Sequence, residues 1–412
     1  MTDQVKGKSF DKAGAIAALK GPRARRLGLW FVGLLLAFGV LGYLAGPPLM
    51  KMVLVKQLSA ELQRDVGAFA ARMRQWGIGA GDRVASYLPT RVETVVAFLA
   101  CASIGAVWSS CAPDMGAGVV LDRFRQIEPK LLLACDGYTW GGVRHDRRSV
   151  IDELLTQLPS VEHAVRGDAI DALMNGTDRV EPEWLPFDHP LWIVYSSGTT
   201  GLPKPIVHGH GGTVIVALAL KILHNDVGCS YHPNSFGERY HWYSSTGWVM
   251  WNAQTSGLLN GTTCVIYDGN PGGTKDKPDW TTLWRFAAEL GVTFFGAGAA
   301  FFANCLKAGV DLSTCGDLSK VRALGTTGSP LSPEVQQWGT AQFEALGTTD
   351  IWWNNISGGT DFCGAFIGGN REMPQVPGEM QCRMLGAAVE AWNAEGQPVT
   401  DEVGELVCAQ PL

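Results

Sequence analysis

Short apolar runs alternate with helically patterned stretches along most of this chain. From Leu58 to Met73 the apolar residues recur at helical spacing, and Gly77 can end that helix. Strands are predicted for Arg83–Leu88, Ala106–Trp108, Leu131–Cys135, Leu191–Val194, Thr263–Tyr267, Val292–Phe295, Val321–Leu324 and Ile351–Trp353. Helices are predicted for Val92–Ile104, Thr213–His224, Trp280–Leu290, Ala299–Ala308 and Pro333–Leu346. This alternation predicts an α/β fold in which mainly parallel sheets are covered by helices.

Two other stretches depart from this alternation. Residues Met384–Trp392 and Gly404–Cys408, separated by a Glu395-Gly396 turn, predict a β-rich piece near the end of the chain. The polar stretch Arg166–Asp188 predicts a loop-rich connection just before the strand at Leu191.

A different pattern precedes residue 50. Leu27 to Ala45 are nineteen uncharged, mostly apolar residues, and four basic residues come just before them, Lys20, Arg23, Arg25 and Arg26. The length predicts a membrane-spanning helix within residues 27–50, and the basic flank places a tail of residues 1–26 in the cytosol. A buried core helix is the alternative interpretation.

Composition excludes several functions. The net charge of the 412 residues is −6, and no basic block occurs beyond the N-terminal tail, so nucleic-acid binding is not expected. The ten cysteines form no C-x-x-C pair, which argues against a structural zinc site. Most cysteines lie in apolar runs, which favours buried free thiols of a reducing compartment.

The densest group of chemically useful residues is the segment Tyr195–Lys204, YSSGTTGLPK. It contains four hydroxyls, two glycines and a lysine directly after a predicted strand and shortly before a predicted helix. Such a loop can direct backbone N–H groups and hydroxyls onto one anion, and Lys204 adds a positive charge for phosphate oxygens. The spacing differs from that of the P-loop, and Pro203 precedes the lysine.

This segment resembles the phosphate-binding loop of the acyl-adenylating superfamily, which includes acyl-CoA synthetases, luciferases and peptide synthetases. The resemblance implies that the loop holds the β- and γ-phosphates of ATP through Ser196, Ser197, Gly198, Thr199, Thr200, Gly201 and Lys204. It also implies that Thr200 and Lys204 take part in catalysis. A carboxylate must be activated as an acyl-AMP before it reacts with a thiol, so ATP, Mg²⁺ and CoA are the expected cofactors and co-substrates.

The aromatic segment His241–Asn252, HWYSSTGWVMWN, allows two interpretations. By itself it is typical of core packing. In the superfamily this position forms the acyl pocket, and the string looks most like the acetoacetate-activating branch. The resemblance implies that the substrate contacts are Trp242, Thr246, Gly247, Trp248 and Trp251, with Trp248 or Trp251 closing the pocket to fit a short acid.

Two further glycine-containing segments correspond to nucleotide contacts in the superfamily. Gly328, Ser329 and Pro330 stand where backbone groups contact the adenosine, and glycine permits a close approach there. In the segment Ser357–Asp361, SGGTD, the resemblance assigns nucleotide contacts to Ser357 and Thr360 and places Asp361 as the magnesium ligand. It assigns Thr360 and Asp361 to catalysis as well. His208 and His210 are interpreted as positioning residues or core histidines.

The resemblance covers residues 57–412, a partial AMP-binding domain without the small C-terminal domain that supplies a catalytic lysine and CoA contacts. We therefore expect this chain to bind ATP weakly and to form little acyl-CoA. Residues 26–63 resemble the start of AsmA-like inner-membrane proteins. This predicts a composite chain with a junction near residues 56–66, because the flank rule would place the enzyme domain away from cytoplasmic ATP and CoA.

The functional prediction is ATP-dependent activation of acetoacetate, followed in full-length relatives by transfer to CoA. The expected partners are acetoacetate, ATP and CoA, in the cytoplasm, with membrane attachment possible only through residues 27–50. Two alternatives stay open. One is another short-chain acyl-CoA synthetase that uses acetate or propionate, and the other is a membrane-anchored nucleotide-binding pseudoenzyme.

Overall fold

The computed structural model describes residues 61–174, 176, 179–196, 201–228 and 238–410. The tail 1–26, the apolar segment 27–50 and residues 56–60 of the proposed junction lie outside the described residues. In the described ranges, no helix has both the length and the apolar character needed to cross a membrane. Residues 62–412 form one compact unit, and the fold below is that of this unit.

Ten α-helices are described, and most are short. In chain order, α1–α10 span 61–75, Val92–Ser103, Ala117–Phe124, Arg148–Gln157, Ala169–Ala172, His210–Leu218, Val249–Thr255, Thr282–Leu290, Ala299–Lys307 and Pro333–Ala345. A π-helical turn, Ala219–His224, continues α6, and 3₁₀ turns span Ser256–Asn260 and Leu312–Thr314. Helix α10 begins as its sequence predicts, because Ser332 accepts a hydrogen bond from the Val335 N–H and Pro333 follows the cap.

Nineteen strands are described. Strands β1–β10 span Arg83–Tyr87, Val107–Cys111, Leu131–Ala134, Gly137–Trp140, Val143–Asp146, His163–Arg166, Pro190–Ser196, Lys204–Gly209, Arg239–Trp242 and Thr263–Cys264. Strands β11–β19 span Phe294–Gly298, Ala323–Thr327, Trp352–Asn355, Ser357–Gly359, Gly364–Gly368, Cys382–Arg383, Val389–Trp392, Pro398–Val399 and Glu405–Cys408.

The first large sheet has the order β6-β3-β1-β2-β7-β8 and is parallel except for the antiparallel pair β7–β8. Strand β3 shows why the apolar run forms this structure. Leu131 and Leu133 join a core cluster with α1 and α2, whereas Leu132 and Ala134 join a cluster on the opposite face with α3 and α4. A strand buried on both faces is expected in a parallel sheet with helices on each side.

The second large sheet is wholly parallel, with the order β10-β9-β11-β12-β13. Phe295 packs on one face with Trp284, and Phe294 packs on the other face with Tyr240. Three small antiparallel arrangements complete the unit, namely β14-β15-β16, β18-β17-β19 and the hairpin β4-β5. The predicted α/β class with mainly parallel sheets and a β-rich end is confirmed.

Some helices and strands were not predicted from the sequence, and others have bounds that differ from the predicted ones. Strand β8 lies between the phosphate segment and α6, so that segment joins two antiparallel strands and does not lead directly into a helix. The predicted strand Thr263–Tyr267 is reduced to β10, and α5 interrupts the predicted connection 166–188. The hairpin β4-β5 and helices α3 and α4 were not predicted, because exposed polar residues interrupt their apolar pattern.

Candidate active site

The candidate site lies where four parallel strands of the second sheet end. Strands β9, β11, β12 and β13 run in the same direction, so the residues that follow each of them meet at one edge of the sheet. Ligands of α/β proteins generally bind at this carboxyl edge, because loops and helix N-termini can vary there without disturbing the sheet. The aromatic segment and both predicted glycine-containing nucleotide segments follow three of these strands.

The predicted phosphate loop is framed by β7 and β8. Ser196 and Lys204 are paired across these two strands, which brings the first and last residues of the predicted cradle together. Gly201 has a φ of +141° and is exposed, a backbone conformation for which glycine is suited. Ser197, Gly198, Thr199 and Thr200 lie outside the described residues, so their predicted phosphate contacts stay predictions.

The SGGTD segment is held by two close contacts. At Gly358 in β14, an added Cβ would lie 2.2 Å from the backbone oxygen of Gly364, so the two strands approach too closely for any side chain at that position. His208 Nε2 donates to the Thr360 carbonyl over 2.8 Å. Burial lowers the pKa of His208, and the nearby Asp361 opposes that shift. A neutral His208 therefore holds the backbone carbonyl of Thr360 in place.

The adenosine segment adjoins the same region. Gly328 has a φ of +89°, and an added Cβ there would lie 3.7 Å from the Trp248 ring. The Thr327 hydroxyl donates to the Ile356 carbonyl over 2.7 Å, which ties the end of β12 to the end of β13. Ser329 and Pro330 are exposed and accessible to a ligand.

Two of the predicted substrate residues belong to the core instead. Trp242 and Trp251 are 0% exposed, and neither lines the two cavities described below. Trp242 packs over Gly296 and Gly325, where an added Cβ would come within 2.2 and 2.5 Å of its ring. Trp251 stacks beside Trp108. Both rings therefore lie in the core and outside the two cavities, and the acyl contacts predicted for Trp242 and Trp251 stay predictions.

Trp248, Thr246 and Gly247 remain near the site. Trp248 is half-buried and lines both cavities. The Thr246 hydroxyl donates to the Leu88 carbonyl over 2.7 Å and thereby joins the aromatic segment to the first sheet. An added Cβ at Gly247 would lie 2.8 Å from the terminal methyl of Met115 and 3.2 Å from the Ala112 backbone nitrogen, so this segment packs closely against residues 112–115.

On one side of Trp248 is a cavity of about 240 Å³, which we call the α6 cavity. Its walls come from α6, α7 and the SGGTD segment, with Thr213, Val216, Asn252, Gly358 and Cys363 among the lining residues. No charged side chain lines it within the described part of the chain. Its volume is slightly below the range of drug-sized ligand cavities, about 300–1,000 Å³. A short, uncharged chain fits such a space.

On the other side of Trp248 is a larger cavity of about 390 Å³, which we call the tyrosine cavity. It is lined by Tyr138, Tyr243 and Tyr267, and by two carboxylates, Asp114 and Asp268. Burial raises the pKa of Asp268, and the charge of Arg91 opposes this effect. Sequence patterns did not predict this cavity, since its walls come from seven separate stretches of the chain.

The residues present can accommodate a magnesium–nucleotide. Asp361 is an exposed carboxylate next to Thr360, and Mg²⁺ in nucleotide sites commonly takes one or two carboxylates together with phosphate oxygens and water. In the described ranges, no group of three or more His, Cys, Asp or Glu side chains is arranged to hold a metal alone. Asp361 would therefore hold a metal that arrives with the phosphates.

Sequence reasoning missed three residues of the α6 cavity, namely Thr213, Asn252 and Cys363. Thr213 and Asn252 lie on helices whose cavity-facing stripe mixes apolar and polar residues. The helical spacing of Val249, Asn252, Ala253 and Ser256 was a detectable signal, since these positions share one face of a helix.

Comparisons with known proteins agree with this geometry. Residues 58–412 match the family described as AMP-binding enzyme. Acetoacetyl-CoA synthetase of Danio rerio is 39% identical over 385 residues, which cover 88% of this chain and 55% of that protein. Acetoacetyl-coenzyme A synthetase of Rhizobium meliloti is 41% identical over 368 residues, covering 85% of this chain and 54% of that protein.

A solved structure gives the same result. The acetoacetyl-CoA synthetase from Streptomyces lividans superposes with a TM-score of 0.78 at 45% identity, covering 84% of this chain and 54% of that one. The chain thus spans about half the length of the curated relatives that it matches.

Proposed function

Because this chain belongs to the AMP-binding enzyme family, we propose that it provides the nucleotide- and acyl-binding part of an acetoacetate–CoA ligase. The reaction is the activation of acetoacetate by ATP to acetoacetyl-AMP, followed by transfer of the acyl group to CoA. The relatives at 39% and 41% identity are named for this substrate. The observation that carries the proposal is the small uncharged α6 cavity directly beside the SGGTD segment.

The proposed roles follow from position. Ser196, Gly201 and Lys204, together with residues 197–200, bind the phosphates of ATP. Gly328, Ser329 and Pro330 contact the adenosine with Ser357, and Asp361 binds Mg²⁺. Thr360 hydrogen-bonds the α-phosphate or the acyl carboxylate, from a backbone position fixed by His208.

In this proposal the acyl chain enters the α6 cavity, and Trp248 forms its boundary. Lys204 and Asp361 contribute opposite charges to the nucleotide site, one for phosphate oxygens and one for the metal. Localisation in the cytoplasm follows from the need for ATP and CoA. Membrane attachment through residues 27–50 is a separate proposal, and protease protection of membrane fractions with an antibody against the enzyme domain tests it.

The experiment uses the purified chain and calorimetric titration with Mg·ATP. We expect Lys204→Ala and Asp361→Ala each to weaken binding about tenfold, the equivalent of one charge-assisted contact. The matched control is Lys277→Ala, which removes a lysine outside all three nucleotide segments. Unchanged affinity in both site variants would show that these segments do not form the nucleotide site.

Acid specificity is tested with non-hydrolysable acyl sulfamoyl adenosines that carry acetoacetyl, acetyl or propionyl groups. We expect the acetoacetyl compound to bind most tightly. Tighter binding of the acetyl or propionyl compound would favour the alternative, a synthetase for another short acid. Tight ATP binding with no binding of any acyl compound would favour the nucleotide-binding pseudoenzyme.

A further inference from the structure

Helix α7 presents one polar side chain to the α6 cavity among apolar and small neighbours. Val249, Asn252, Ala253 and Ser256 recur at helical spacing and all line the cavity, whereas Trp251 faces the core. Asn252 is only 5% exposed, so bulk water does not solvate its amide freely. An asparagine at this position is therefore a buried polar group in the wall of a binding cavity.

Within the described part of the chain, the hydrogen bond at Asn252 is accepted by its backbone carbonyl from Thr255, and its side-chain amide, with two donors and an acceptor oxygen, is left to face the cavity. Other polar groups of the same wall are satisfied internally. The Ser256 hydroxyl donates to Ala253 and the Thr327 hydroxyl donates to Ile356, each over 2.7 Å. Buried polar groups are normally paired, so an unpaired one in a cavity indicates a missing ligand or water.

A second group of unpaired donors lines the same cavity. The Thr213 hydroxyl and the Trp192 indole N–H are buried, and neither has a nitrogen or oxygen partner among the described residues. Both point towards the Cys363 sulfur, and this weak hydrogen bonding opposes the burial that raises the pKa of the thiol to about 11. The thiol is therefore neutral at physiological pH. Donors predominate in this group, and none of its members is charged.

From these contacts we infer that Asn252, together with Thr213, recognises the 3-oxo oxygen of the acyl chain and so determines specificity for a 3-oxo acid over an alkyl acid of the same shape. This inference rests on the proposed function, because it places the acyl chain in the α6 cavity. A ketone oxygen is a neutral acceptor and needs donors. The carboxamide N–H groups and the hydroxyl supply them.

The same lining residues disfavour two other kinds of acyl chain, namely alkyl chains and chains that end in a charge. An alkyl chain of the same volume would leave Asn252 and Thr213 desolvated and unpaired, which disfavours binding more strongly than the lost contact alone. A chain ending in a second carboxylate or an ammonium group would find no opposite charge among the described lining residues.

The test measures the binding of two sulfamoyl adenosines by calorimetry, one with a 3-oxobutanoyl group and one with a 3-methylbutanoyl group of nearly the same shape. We expect the unmodified chain to prefer the 3-oxo compound about tenfold or more, the value of at least one hydrogen bond. In Asn252→Leu that preference should fall below about threefold while the 3-methyl compound still binds. Thr213→Val should lower the preference by a smaller factor.

The control is Thr156→Val in α4, an exposed threonine outside both cavities whose hydroxyl donates to the Asp152 carbonyl. Its preference should equal that of the unmodified chain. Undiminished preference in Asn252→Leu would overturn the role of Asn252, and so would equal binding of both compounds by the unmodified chain. If the unmodified chain binds Mg·ATP but neither acyl compound, the acyl site of the proposed function is wrong and this inference falls with it.

Discussion

The α6 cavity and the tyrosine cavity share Trp248 as a wall, but they use their polar groups in opposite ways. In the tyrosine cavity, the hydroxyls of Tyr243 and Tyr267 donate to the carbonyls of Gly269 and Asn270 over 3.1 and 3.2 Å. In the α6 cavity, the Thr213 hydroxyl has no nitrogen or oxygen partner among the described residues, and the hydrogen bond at Asn252 uses its backbone carbonyl and not its amide. Satisfied groups mainly shape a wall, whereas unsatisfied groups are available to select a ligand.

The two cavities also differ in charge. Asp114 and Asp268 line the tyrosine cavity, and Arg91 lies 3.9 Å from Asp268. The described residues that line the α6 cavity are all uncharged. Ionic groups therefore belong to the tyrosine cavity, and a short neutral chain belongs to the α6 cavity. Trp248 separates these two environments.

The largest expected effect is on stability, and it differs between variants of Trp242 and Trp248, two tryptophans of one short segment. Trp242→Ala should lower the free energy of unfolding by about 3–5 kcal/mol, because it leaves a cavity in the core on the Phe294 face of the second sheet. Trp248→Ala should lower it much less, since its ring is half-buried, but should weaken the preference for short acyl adenylate analogues. Urea unfolding and calorimetric binding measure the two effects.

Equal losses of stability in the two variants would contradict this distinction. Trp248 would then be a core residue like Trp242, and the α6 and tyrosine cavities could not be treated as separate spaces on either side of it.

Among the described residues, Lys221 is a buried group without a hydrogen bond that lies outside both cavities, and so it shows whether such a group always indicates a ligand-binding position. It lies in the π-helical turn after α6, is 1% exposed, and its ammonium nitrogen is 3.5 Å from the centre of the Tyr240 ring, with no hydrogen bond. It lines neither cavity. Burial lowers the pKa of Lys221 to about 7. We expect Lys221→Met to raise stability without changing the affinity for acyl adenylate analogues.

The pH dependence of this variant has a defined sign. Between pH 7 and about 10 the unfolded chain binds a proton at Lys221 that the folded chain has released, so the stability of the unmodified protein rises with pH. The advantage of Lys221→Met should therefore shrink by about 2 kcal/mol between pH 7 and pH 9. Urea unfolding at both pH values measures this, with the exposed Lys307→Met as control. A constant difference would show that Lys221 is charged in the folded protein.

The sequence predicted the sheets better than the site, for a physical reason. Buried parallel strands such as β3 are continuous apolar runs, and their pattern is local in the sequence. The direction in which a tryptophan points depends on the helix or strand that carries it and on its neighbours. Trp242, Trp248 and Trp251 therefore look equivalent in the sequence, although only Trp248 lines the cavities.

The same argument explains why the place of Asn252 in the α6 cavity was not predicted from the sequence. Whether its amide is satisfied depends on groups distant in the sequence, such as Thr213 and Cys363, which the fold brings to the same cavity. Strand β8 was missed for another reason. The exposed Lys204 and Val207 interrupt the alternation expected of a half-buried strand, so only its pairing with β7 identifies it.

Gly358 tests the wall of the α6 cavity directly. Gly358→Ala should lower the free energy of unfolding by about 1–3 kcal/mol, because its Cβ would force β14 away from the Gly364 carbonyl. It should also weaken the binding of acyl adenylate analogues, since this strand lines the cavity. The control is Gly212→Ala in α6, where an added Cβ meets nothing within 4 Å and alanine favours the helix. A loss of stability in Gly212→Ala but not in Gly358→Ala would contradict the close approach of β14 to the Gly364 carbonyl.

The smallest expected effect is at the tyrosine cavity. Tyr243→Phe removes a hydroxyl that donates to Gly269, and we expect a loss of about 0.5–1.5 kcal/mol in the free energy of unfolding. Since this group is satisfied within its own wall, the preference for a 3-oxo over a 3-methyl acyl adenylate should not change. A changed preference would mean that the two cavities are energetically coupled through Trp248. Hydrogen-bonded groups such as the Tyr243 hydroxyl would then also influence which acyl chain binds, and not only the shape of their own cavity.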